Sequence, residues 1–150
     1  MNSSDAVAEL IEHFPRIFRG QPPLGHSFLP DGWRKLVTQL FDDIDRMLDG
    51  KAASQFEVRQ IKEKKGRLRV RVWLGPPYVV DEEMSKRESH GLLQRIWARI
   101  SSAEDESERT CESCGHVIAA RQRSDPVRIK CESCGAECLR AADFFVCELG

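Results

Sequence analysis

QFEVRQIKEKKGRLRVRVWL, residues 55–74, is the stretch on which the fold turns. In its second half Leu68, Val70, Val72 and Leu74 alternate with Arg67, Arg69, Arg71 and Trp73. A period of two is that of a strand with one buried face. The preceding run pairs with it if Lys65-Gly66 forms a two-residue hairpin turn. That register sets Lys64 opposite Arg67, Lys62 opposite Arg69, Ile61 opposite Val70, Gln60 opposite Arg71 and Val58 opposite Trp73. Ile61 then joins the Leu68, Val70 and Val72 face, while Phe56 and Val58 fall beside Trp73 on the other. A slip of one residue would exchange the faces, so every property assigned to either face depends on the register.

Working outward, the flanking segments change to a helical period. Ser3 and Ser4 offer N-caps for a run in which Val7, Leu10, Ile11 and Phe14 recur at helical spacing until Pro15. Residues 21–30, QPPLGHSFLP, form a connector rich in turn formers. Asp31 reads as the next N-cap, followed by Trp33, Leu36, Val37, Leu40, Phe41, Ile44, Met47 and Leu48 up to Gly50. Asp42, Asp43, Asp45 and Asp49 mark the opposite face of that helix. Gly75-Pro76-Pro77 ends the strand. A polar helix is expected from about Glu82 to Ser102, with Leu92, Leu93, Ile96, Trp97 and Ile100 as its apolar stripe. The acidic run from Glu104 to Glu108 reads as a short hinge.

These elements predict an α+β body over residues 1–103, with two or three helices packed on one face of a small antiparallel sheet. A second unit, 108–150, is a zinc-ribbon-like module. The chain has 150 residues, 41% of them hydrophobic, and a globule of this size buries about 70% of its unfolded surface. Charged residues make up 31%, yet the net charge is only −1, so no global field gathers polyanions. The N-terminal MNSSDAVAELIEHF carries Asp5, Glu9 and Glu12 and does not read as a secretory signal. No segment approaches the ~20 apolar residues of a membrane span. The expected location is the reducing cytoplasm, where paired cysteines hold metal more often than they form disulfides.

The pentapeptide CESCG occurs at 111–115 and again at 131–135, giving the pattern C-x2-C-x16-C-x2-C through Cys111, Cys114, Cys131 and Cys134. Two residues between cysteines let both thiolates of a tight turn face one ion. Sixteen intervening residues suit a hairpin that brings two such turns around a tetrahedral Zn2+ at Zn–S of ~2.3 Å. Four protein thiolates close the coordination sphere, so the zinc is structural. Iron or an iron–sulfur cluster in the same cage is the rival metal. A redox C-x-x-C is the rival chemistry, although one pair would suffice for it. Cys138 and Cys147 read as small apolar residues of a terminal segment with Phe144, Phe145 and Val146. His116 reads as a surface group or a neighbour of the ligands.

At QIKEKKGRLRVRV (60–72) the chain resembles an uncharacterised family of small bacterial and phage-encoded proteins whose members carry Q-[IV]-K-E-K-F-G-x-L-R before a short strand. The resemblance extends to FPRIF (14–18), DGWRKLVTQL (31–40) and RTCESCG (109–115). It implies the same succession of helix, hairpin, helix and metal knuckle, and a phage or prophage origin. This chain departs from the pattern at Lys65, where the family has phenylalanine, and at Arg71 and Val72, which replace an aromatic pair. The family's last two metal ligands are often Cys and His, where this chain has Cys131 and Cys134.

Between residues 59 and 71 seven basic residues stand against one acid, Glu63. In the register above, Lys62, Lys64, Arg67, Arg69 and Arg71 share a face with Trp73. Such a face could grip an acidic protein surface, track phosphates with Trp73 free to stack, pair internally with the Asp42/Asp43/Asp45 helix, or simply be solvated. The cysteine module, with six basic and six acidic residues from Arg109 to Gly150, is not a phosphate-binding surface by composition. No Gly-rich phosphate loop or nucleophile elbow occurs, and His13, His26, His90 and His116 are scattered. No small-molecule substrate or membrane interaction is indicated. The expectation is a non-enzymatic zinc protein that docks on a protein partner, in a phage context to redirect or inhibit a host system. Nucleic-acid binding through the hairpin is the alternative.

Overall fold

The computed structural model describes residues 3–75 and 84–117. Its fold is mixed: helices gathered around a two-stranded antiparallel sheet. The elements are α1 (Ser3–His13), α2 (Pro15–Phe18), α3 (Arg34–Met47), α4 (Gly50–Gln55), β1 (Phe56–Lys64), β2 (Arg67–Leu74) and α5 (Met84–Ser107). A single 3-10 turn, Asp31–Trp33, leads into α3. Among the described residues no helix is long and apolar enough to cross a membrane.

Proline both ends and starts a helix at the N-terminal side. Pro15 cannot continue α1, and its fixed φ suits the first position of α2. The bend aims Phe14 and Phe18 at Phe41 of α3, the Phe18 and Phe41 rings meeting edge to face at 5.4 Å. Val37, Leu40, Phe41 and Ile44 are fully buried, at the i, i+3, i+4, i+7 spacing of one helix face. The helix expected to run to Gly50 stops at Met47, because Leu48 is extended and Asp49 caps a new helix. The Asp49 carboxylate accepts a hydrogen bond from the Ala52 amide at 2.7 Å. Asp31, read as a side-chain cap, makes no such bond. It begins the 3-10 turn and pairs with Arg34.

Lys65 and Gly66 both take positive φ, 54° and 77°, which is the two-residue turn that matches the strands' own twist. The register agrees with the sequence reading from Lys64↔Arg67 to Gln60↔Arg71 and then departs from it. Arg59 is bulged out, so Val58 faces Val72 rather than Trp73, and Phe56 faces Leu74. Phe56 and Val58, expected beside Trp73, therefore lie on the core face with Ile61. The extra residue shifts the period by one, and the gain is burial of two apolar side chains that an unbroken strand would leave outside.

Both edges of this short sheet are closed. On the β1 side, the Gly25 and Phe28 amides donate to the Arg59 and Ile61 carbonyls, and the Ile61 amide donates to Ser27 Oγ. On the β2 side, the Leu68 amide donates to Ser107 Oγ at 2.9 Å and the Val70 amide to the Glu104 carboxylate at 3.1 Å. Helix α5 thus runs antiparallel along β2, and its side chains supply acceptors that a third strand would otherwise provide. Ile96, Ile100 and Ala103 are its buried stripe; Trp97, assigned to that stripe from sequence, is 54% exposed. The acidic run expected as a hinge begins inside α5, which extends to Ser107.

Candidate metal knuckle and cationic hairpin face

The first CESCG forms a closed turn. The Gly115 amide donates to the Cys111 carbonyl at 2.9 Å, and the Cys111 amide to the His116 carbonyl at 2.8 Å. Thr110 and Val117 form an antiparallel bridge at its base. Gly115 takes φ 81°, a left-handed conformation that glycine adopts without strain. Cys111 is buried and Cys114 exposed, with Cys114 Sγ 3.3 Å from His116 Nδ1. Among the described residues no three metal-ligating side chains converge. Cys131 and Cys134, with Cys138 and Cys147, lie outside the described residues. The turn sets Cys111 and Cys114 three positions apart in one tight loop, with His116 against the Cys114 sulfur.

This knuckle is held by the body through a contact the sequence reading did not foresee. The Gly32 amide donates to the Glu112 carbonyl at 2.8 Å, and Trp33 Nε1 donates to the Thr110 carbonyl at 2.9 Å. Trp33 is completely buried. A Cβ at Gly32 would run into the Cys111 carbonyl and the Glu112 backbone, and one at Gly115 would stand 3.0 Å from the Gly32 carbonyl. The Asp-Gly-Trp tripeptide therefore works as a receptor for the knuckle. A glycine before a tryptophan at a helix start was the available signal, but nothing local says which distant backbone the missing Cβ makes room for.

The five cations assigned to one face of the hairpin divide. Arg67 turns toward α5, where its guanidinium meets Asp105 at 2.9 Å, Glu108 at 3.2 Å and Glu104 at 3.8 Å. Burial works against its charge, but Glu108 and Asp105 outweigh burial, so the guanidinium is held protonated more firmly than usual. Arg67 is thus a strut between β2 and α5, so its charge is engaged within the molecule. Lys64, Arg69 and Arg71 are exposed and Lys62 half-buried. No carboxylate of the described residues lies within ion-pair distance of these four. The Asp42/Asp43/Asp45 helix does not neutralise them: Asp42 pairs with Arg46, Asp43 with Arg99 and Asp45 with Arg16. At the end of the same face Trp73, 42% exposed, carries the Arg59 guanidinium over its ring at 5.1 Å.

Beside the knuckle, a groove of about 720 Å³ lies between α3 and α5, lined by Arg34, Gln39, Arg99, Glu106, Cys114 and His116 among others. No family model matches the chain, and neither a curated protein nor a solved structure matches it.

Proposed function

We propose that this chain is a non-enzymatic, zinc-stabilised protein that binds nucleic acid through the outer face of its hairpin. The observation that carries the reading is the set of four cations without a carboxylate partner among the described residues, Lys62, Lys64, Arg69 and Arg71, next to the exposed Arg59–Trp73 stack. Cations two apart on a strand recur about every 6.6 Å, a spacing suited to a polymer with regularly repeated charge. An acidic protein surface, the partner expected from the sequence, has no such repeat and gains little from a stacked indole. Closure of both sheet edges leaves the side-chain face rather than strand addition as the means of recognition. The resemblance to phage-encoded proteins bears on where such a chain would act.

In this reading Cys111, Cys114, Cys131 and Cys134 hold one structural Zn2+, and the metal takes no part in chemistry. The Cys114–His116 contact is also that of a thiol beside a base. The repeated CESCG, which a lone nucleophile does not require, favours ligation. Elemental analysis of the purified chain is expected to give one zinc; one iron, or a metal-free protein with an alkylatable Cys114, would reject the assignment. Binding is tested by titrating labelled oligonucleotides and polyglutamate over a range of salt. Phosphate contacts lower log K by about 0.7–0.9 per contact per decade of salt. Tight binding of polyglutamate with no binding of oligonucleotides would return the face to a protein partner.

A further inference from the structure

We infer that the hairpin face takes single-stranded rather than duplex nucleic acid, with Trp73 and Trp97 as two base-stacking positions; the inference rests on the proposed nucleic-acid reading. Trp97 was assigned to a buried stripe from sequence, yet it is the more exposed of the two indoles, 54% against 42%. Its position follows from how α5 lies on the sheet edge. Ser107 accepts from the Leu68 amide and Glu104 from the Val70 amide, so helix and strand run side by side in opposite directions. Ten residues back along α5 from Ser107 is a rise of about 15 Å. Five residues along β2 from Leu68 to Trp73 is about 16 Å. The two indoles therefore stand at the same level.

They also open to the same side. Trp97 precedes Glu104 by seven residues, two turns of the helix, which places the two on one stripe of α5. Glu104 and Glu108 both turn toward Arg67, which projects from the outer face of the sheet. Trp97 consequently borders that outer face, across from Trp73, with Arg69 and Arg71 exposed on the same face. The two indoles border one end of a cationic ribbon: an unpaired base would stack on Trp97 directly and on Trp73 by taking the place of the Arg59 guanidinium over its ring, whereas a duplex keeps its π-faces stacked inside. Phosphates would follow Arg71, Arg69, Lys62 and Lys64 toward the turn. A duplex could use the cations but not the indoles.

The experiment measures the affinity of the full zinc-loaded chain for labelled oligo-dT and for a duplex of equal length at low salt, by fluorescence anisotropy. Trp73→Ala and Trp97→Ala are each expected to weaken oligo-dT binding about ten-fold, with Trp97→Phe retaining most of it. Duplex affinity should be lower and unmoved by these variants. Thermal melting controls for folding, and Trp33 remains as a fluorescent reporter of the core. If duplex and single strand bind alike and the indole variants change nothing, the stacking inference fails while the phosphate-binding reading stands. If no oligonucleotide binds, or if Arg69→Glu/Arg71→Glu leaves binding intact, that reading fails as well. Polyglutamate binding that depends on both indoles would identify a peptide partner and overturn both.

Discussion

The two surfaces that matter most in this molecule are built on opposite terms. At the knuckle receptor, Gly32 and Cys111 meet backbone to backbone, Trp33 is wholly buried, and the polar groups described there are matched across the contact. On the outer hairpin face, Lys62, Lys64, Arg69 and Arg71 have no carboxylate partner among the described residues, and the last three are exposed to solvent. The first surface is specified by shape, so it tolerates almost no added atom. The second is specified by charge, so it tolerates changes of shape but not of sign. A residue's importance to folding and its importance to binding should therefore separate cleanly between the two.

The largest expected effect lies at the receptor. Gly32→Ala forces a methyl into the Cys111 carbonyl. Its expected cost is about 3 kcal/mol, at the upper end of overpacking effects, seen as a drop in Tm of roughly 10 °C. A Tm within 2 °C of the parent would mean the knuckle can lift away at small cost, and the contrast between the surfaces would weaken. Next comes Arg67, the strut between them. Arg67→Ala removes the guanidinium that faces Glu104 and Glu108, both mostly shielded. The expected loss is about 2 kcal/mol by chemical denaturation, below the range for fully buried pairs because Asp105 is open to water. Faster amide exchange at Leu68 and Val70 should accompany it, since Glu104 accepts from Val70 and Ser107 from Leu68.

A smaller effect tests the α3–α5 contact through pH. The hydrogen bond from Arg99 holds the Asp43 carboxyl below its ordinary value, against the opposing influence of burial. The folded value is the lower one, so the contribution to stability is present above the unfolded carboxylate range and is lost as pH falls through the folded value. Asp43→Asn should therefore be less stable than the parent at pH 7, with the gap closing below about pH 4. A gap that persists at low pH would assign the loss to packing. Smallest of all should be the effect of Arg69→Glu and Arg71→Glu on folding. Both side chains are exposed, and stability should stay within about 0.5 kcal/mol even though the outer face has lost its character.

Sequence periodicity was enough to find the hairpin, its turn and the core helix, because each is a local pattern repeated over many residues. It misplaced Phe56 and Val58 because a bulge is a single-residue event, and burial of distant partners decides whether it occurs. The ion pairs of Arg67 were not legible, because alternation identifies a side chain's face but not its ionic partner, here 37 to 41 residues further along the chain. Trp97 was misjudged because a helix beside a sheet edge has room for only a narrow stripe of buried residues, and Ile96 and Ile100 already fill it. The Cys111–Cys114 turn was legible because the CESCG phrase is local, whereas its docking on Gly32 and Trp33 depends on backbone about 80 residues away, beyond the reach of any local pattern.

The hydrogen bond from Trp33 to Thr110 spans 77 residues, and that separation has a meaning in time. A ribosome adding about 5–20 residues per second makes Trp33 some 4–15 s before the carbonyl it needs. Through that interval the indole N–H has no native acceptor, and the start of α3 has no lid. The body cannot reach its finished state on the nascent chain until the first cysteine turn has emerged, so a segment translated 77 residues later completes the start of α3.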